Sequence, residues 1–154
     1  MQMLLALFIA LAQIAGSASL ENAIDCAMAQ HYREKIERHH KDLRDGNGDS
    51  EYDCKLEVEA RRKQDNPGYK LPKGLGMVKI KLPKSNGKTT VQNLQVAFKS
   101  MAQPGNERKL LQMTSPLVTR YGCWGKFYPQ IYDELSVLCV YDPKVRRSKK
   151  MDHN

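Results

Sequence analysis

Thr119-Arg120-Tyr121-Gly122-Cys123-Trp124 and Leu135-Ser136-Val137-Leu138-Cys139-Val140-Tyr141 are the two stretches on which the fold turns. Both are short, rich in β-branched and aromatic residues, and separated by a segment holding the turn formers Gly125, Pro129 and Asp133. They read as strands over Leu117 to Trp124 and Leu135 to Tyr141, paired as a hairpin with a long loop.

Working toward the N-terminus, Val78, Lys79, Ile80, Lys81 and Leu82 alternate apolar with charged, which predicts a half-buried strand over Gly76 to Leu82 with its lysines facing water. Between this strand and the hairpin, Ser85-Asn86-Gly87 marks a turn, Thr89 or Thr90 offers a cap, and Val91, Leu94, Phe98 and Met101 fall on one face of a helix closed by Pro104-Gly105. Upstream, Tyr52 to Arg62 reads as a short helix capped by Asp53 and ended by Asn66-Pro67-Gly68. Ala23, Ala27, Met28, Tyr32, Ile36, His39 and Leu43 repeat near the helical period, predicting one long amphipathic helix over Asn22 to Leu43. Helices and strands are thus interleaved, and one mixed domain is expected.

Residues 1–18 contain no charge and run from Leu4 through Leu11 into Ala15-Gly16-Ser17-Ala18. That pattern is a secretory signal peptide cleaved after Ala18, too short for a membrane span and closed by small residues. The domain is expected over 19–143, followed at 144–154 by a basic tail, expected to be disordered. An exported chain with an even number of cysteines, Cys26, Cys54, Cys123 and Cys139, argues for disulfides, in any of three connectivities. No two cysteines have the close spacing of a structural zinc site.

Lys and Arg number 25 against 17 Asp and Glu, a formal charge of +8. Such a balance suits an acidic partner as well as mere solubility. Lys79, Lys81, Lys84 and Lys88, with Arg146, Arg147, Lys149 and Lys150, form the candidate contact set. The loop residues Trp124, Phe127 and Tyr128 supply aromatic anchors, although Trp124 is open to a core role as well. Among chemical motifs, Asp45, Asn47 and Asp49 have the spacing of a calcium loop, but Ser50 stands where glycine is needed and Leu56 where the bidentate glutamate belongs. His31, His39 and His40 lack the one-turn spacing of a helical metal site and are read as surface histidines. No arrangement of nucleophile and base, and no histidine and lysine trio for phosphodiester chemistry, stands out.

Tyr52-Asp53-Cys54-Lys55-Leu56-Glu57 with Ala60 resembles the M-x-Y-D-C-x-L-E-x-x-A stretch of nematode CAP proteins. Gln112-Met113, Thr119 to Cys123 and Val137 to Pro143 resemble that family's Q-M, G-C and C-x-Y-x-P blocks in the same order. Tyr32-Arg33 is similar to the Y-R of its first helix, and Phe98 stands in for a tryptophan. The chain is therefore identified as a divergent CAP protein of the Ancylostoma-secreted-protein type, with an unrelated two-disulfide secreted fold as the alternative. The resemblance implies an α/β fold, an α-β-α sandwich with a small twisted antiparallel sheet between helices, and two disulfides, Cys123 to Cys139 and Cys26 to Cys54.

Family members that bind a divalent ion use two histidines aided by two glutamates. Matching the motifs puts Ala29 and Lys109 at the histidine positions, or His31 if the first is slid, and Met77 and Met101 near the glutamates. The G-E-N motif is missing, and Pro116 interrupts the segment after Gln112-Met113. No metal, no cofactor and no hydrolysis are expected in that cleft. The function implied is a secreted, non-enzymatic parasite effector that binds a host protein or an acidic glycan, not a nucleic acid. A carrier of a sterol or fatty acid is the second reading.

Overall fold

The computed structural model describes residues 25–84 and 87–146. The expected signal peptide, Arg147, Lys149 and Lys150 lie outside them. In chain order the elements are α1 (Gln30–Arg44), β1 (Glu51–Tyr52), α2 (Cys54–Asp65), β2 (Gly76–Lys81), α3 (Thr90–Lys99) with a 3-10 turn at Ser100–Ala102, α4 (Glu107–Thr114), β3 (Arg120–Lys126) and β4 (Ser136–Asp142). The strands form one sheet in the order β1-β3-β4-β2.

Strand β4 is central and apolar on both faces, because each face meets a helical layer. Val137, Cys139 and Tyr141 join Val78, Ile80, Tyr121 and Cys123 in the larger core, with Ile36 of α1, Leu94 and Phe98 of α3 and Met113 of α4. Leu138 and Val140 point the other way, against Leu56 and Ala60 of α2. The result is the three-layer α-β-α sandwich that the resemblance implies. One detail differs: β1 pairs with β3 in parallel, Glu51 opposite Arg120 and Tyr52 opposite Tyr121, so the sheet is mixed rather than antiparallel. Tyr52 belongs to this edge strand instead of opening the helix.

The alternation in β2 is realised, with Val78 and Ile80 buried and Lys79 and Lys81 exposed. Thr89 caps α3 in a full capping box with Gln92, which satisfies two backbone donors at once. Two helical expectations need correction. Helix α1 begins at Gln30, since Asp25 to Ala29 run without helix, held by other means described below. Helix α4 leaves no periodic signal in the sequence: it is short, lies between Gly105 and Pro116, and buries only Gln112 and Met113.

The structure joins Cys26 to Cys54 and Cys123 to Cys139. Cys123 and Cys139 are directly opposite in the β3–β4 register, so the hairpin brings them together unaided. The two links span 28 and 16 residues of sequence. Bridges closing loops of this size each stabilise by roughly 2–4 kcal/mol.

The lead-in to α1 is fixed by a buried carboxylate. Glu57 Oε1 accepts from the backbone N–H of Ala27 at 2.6 Å and of Met28 at 2.9 Å. Its Oε2 lies 2.8 Å from the Tyr52 hydroxyl, which in turn accepts from Cys123 N–H at 3.2 Å. Helix α2 reaches this position because Gly122 leaves room for it. A Cβ at Gly122 would stand 2.2 Å from Glu57 N and 2.5 Å from Asp53 O, both backbone atoms. Overpacking against backbone costs about 1–3 kcal/mol or more. Gly122→Ala is therefore expected to lower unfolding stability by at least about 2 kcal/mol in a denaturant titration; an unchanged midpoint would contradict this packing.

Candidate functional site

The buried ionisable groups are absorbed by the scaffold. His40, read above as a surface histidine, is buried on α1 because it faces the sheet one turn after Ile36. Its Nδ1 is 2.9 Å from the Ile36 carbonyl, an acceptor only, so Nδ1 carries the proton and Nε2 accepts from the Tyr141 hydroxyl at 2.9 Å. Its ring stacks on Tyr121 at 4.1 Å. His39 is half-buried against Phe98. Arg44, also buried, donates to the carbonyls of Gly48, Met113, Asn47 and Val118, tying the end of α1 to α4 and to the approach to β3. His40 also lies close to Cys123 and Cys139, but their sulfurs are bonded to each other and cannot ligate a metal.

Burial lowers the His40 pKa to about 4, reinforced by Arg44 and His39 and opposed by the bond to Ile36. As pH falls the unfolded chain takes up this proton first, near the usual 6.5. The contribution is therefore complete above pH 6.5, declines toward pH 4, and amounts to roughly 3 kcal/mol. His40→Gln is expected to be less stable than the wild type at neutral pH and to show a flatter loss of stability between these limits in denaturant unfolding. An equally steep loss in the variant would assign the acid limb to other groups.

A different region is open to a ligand. The loop after α2, the first residues of β2, the first turn of α4 and the chain beyond β4 enclose a groove of about 520 Å³. Gln112 builds its floor: its amide donates to Pro143 O at 3.0 Å, and its carbonyl accepts from Val145 N–H at 2.8 Å. Gly76 provides the space, since a Cβ there would sit 2.3 Å from Gln112 Oε1. Lys144 N–H donates to Gly74 O at 2.7 Å. Lys144 and Val145 are thus tied to Gly74 and Gln112 by their backbone N–H groups.

Lys63, Lys70, Arg108, Lys109 and Lys144 all line the groove, together with Leu71, Leu75, Met77 and Val145, and among the described residues no Asp or Glu does. Lys63 is used internally, donating to the carbonyls of Pro67 and Tyr69. Lys70, Arg108, Lys109 and Lys144 are exposed and in no ion pair among the described residues. Arg108 and Lys109 stand in the first turn of α4, the end of a helix where its dipole opposes positive charge.

The contact set expected from the sequence is dispersed. Lys79 and Lys81 both bind Glu134, at 2.6 Å each, because their register beside β4 brings them to the turn before that strand. Their ammonium groups hold the Glu134 carboxyl down to about 2. Lys84, Lys88 and Arg146 are exposed. Phe127 is corrected from a contact residue to a core residue: it is buried, with its ring 4.2 Å from that of Tyr32. Trp124 is half-buried under Arg61, whose guanidinium lies 4.8 Å from the ring, and Tyr128 is exposed. Of the four positions matched to a metal cleft, Lys109 and Met77 meet in the groove, Ala29 precedes α1 elsewhere, and Met101 is in the core. The groove is also lined by Tyr69, Lys70, Leu71 and Leu75 of the loop after α2, a segment with no periodic signal and no motif in the sequence.

This layering and connectivity define a protein of the CAP fold. Its structural neighbours are Ancylostoma-secreted and venom allergen-like proteins. The Ancylostoma-secreted protein Ac-ASP-7 is 25% identical, with a TM-score of 0.63 over 80% of this chain and 75% of that one. A manganese-bound form of it gives 0.61 over 79% and 73%, also at 25% identity. A hookworm platelet inhibitor, 14% identical, shares the fold at a TM-score of 0.52 over 78% of this chain and 73% of its own. Neither a family model nor a curated protein sequence matches the chain.

The groove's residues do not fit a divalent cation. Among the described residues, four side-chain cations in no ion pair and a thioether line it, and neither imidazole nor carboxylate, the ligand types that hold zinc or manganese, does.

Proposed function

We propose that this protein is a secreted, non-enzymatic effector that binds a host macromolecule. The observation that carries this reading is the division of its ionisable groups. Glu57, His40 and Arg44 are buried and committed to structural hydrogen bonds, while unpaired cations are left on the open groove. Groups fixed in this way offer no base poised against a substrate, whereas exposed cations favour attraction of an acidic surface. Support for an extracellular role comes from the paired cysteines, the leader-like residues 1–18 and likeness to an Ancylostoma-secreted protein. No helix among the described residues is long and apolar enough to cross a membrane.

Binding of the oxidised protein to host leukocytes and platelets across a salt series, followed by crosslinking and mass spectrometry, tests the reading. Saturable binding to a defined cell-surface molecule is the expected result, weakening as salt rises. Failure to bind any of these cells would overturn it and leave a lipid carrier, using the apolar strip of Leu71, Leu75, Met77 and Val145, as the better account.

A further inference from the structure

We infer that the groove between α4, β2 and the Tyr69–Leu75 loop is a metal-independent site for a sulfated glycan, with Lys70, Arg108, Lys109 and Lys144 as its anion-binding residues. The inference rests on the effector reading and names the ligand class of one site on it.

The charge is of one sign and uncommitted. Among the described residues no carboxylate lines the groove, and none of these four cations is in an ion pair. Lys79 and Lys81, by contrast, share Glu134. The cations also come from separate segments: Lys70 from the loop, Arg108 and Lys109 from α4, and Lys144 from the chain after β4. A ligand that uses all of them must carry several anionic groups spread along its length.

The size points the same way. About 520 Å³ is far more than a lone sulfate fills, an ion only a few times the ~30 Å³ of a water molecule. Half-exposed Met77, with Leu75 and Tyr69, offers apolar surface to the C–H faces of sugar rings between the charges. Because the rim residues are exposed, the groove suits a chain lying across it better than an enclosed acyl tail.

Calorimetric binding of a size-defined heparin oligosaccharide to the oxidised protein, with and without EDTA or added manganese, tests this, with its desulfated form as control. The expected result is saturable binding that requires sulfate, falls with salt and is indifferent to EDTA and manganese. Arg108→Ala with Lys109→Ala should weaken it by about tenfold or more, while Lys79→Ala with Lys81→Ala should change it by less than about twofold. Both pairs are exposed, and unchanged thermal midpoints would establish that the variants fold. Absence of binding, equal losses in both variants, or a requirement for metal would overturn the inference. Cell binding that persists when the oligosaccharide fails would sink this inference and leave the effector reading standing. Oligosaccharide binding without any cell binding would do the reverse.

Discussion

A single buried carboxylate organises one side of the molecule. Glu57 is held inside α2 and satisfies the N–H groups of Ala27 and Met28, so the chain entering α1 is bound without being helical or stranded. Its second oxygen meets the Tyr52 hydroxyl, which also bonds the backbone of Cys123. Through that pair, the lead-in, the edge strand β1, helix α2 and strand β3 share one set of hydrogen bonds. Removing the carboxylate would leave buried donors unpaired, a larger loss than one ordinary hydrogen bond. The Cys26–Cys54 disulfide fastens the same junction covalently, and Gly122 allows the helix to approach closely enough for it to form.

The opposite face is organised by α1. Ile36, His40 and Arg44 recur every four residues and all turn inward. Only the first is apolar. His40 remains neutral because burial disfavours its charged form, and its two ring nitrogens are engaged by a carbonyl and a tyrosine hydroxyl. Arg44 keeps its charge but spends its donors on four carbonyls, including Met113 O near the C-terminus of α4, where a positive group is favoured. These polar contacts specify how α1 docks, and they position α4, whose first turn then supplies Arg108 and Lys109 to the groove.

Function follows from what the scaffold leaves over. The aromatic and ionic groups nearest the sheet are consumed in packing: Phe127 beneath Tyr32, Trp124 beneath Arg61, Lys79 and Lys81 on Glu134. What stays available is a cationic groove whose walls come from the loop after α2, α4 and residues 144–145, three segments remote in sequence.

The sequence by itself determined the elements whose signal is local. The alternation of Val78 to Leu82, a cap at Thr89, one of the two threonines offered, the Asp53 cap and the apolar hairpin strands depend on neighbours within a few residues, and each is found, with β3 starting at Arg120 rather than Leu117. Local patterns also carried the family's motifs, from which the disulfide pairing and the layered fold were inferred. The burial of His40 and Phe127, the parallel pairing of β1, the existence of eight-residue α4, and the sharing of one groove by Lys109 and residues of the Tyr69–Leu75 loop came from tertiary structure alone. Each of these depends on a partner far away in the chain: Tyr141 for His40, Tyr32 for Phe127, β3 for β1, and the docking of α1 for α4. A polar or short segment gains its place from such contacts and not from its own periodicity, so the groove could be assembled only once the sheet had brought its walls together.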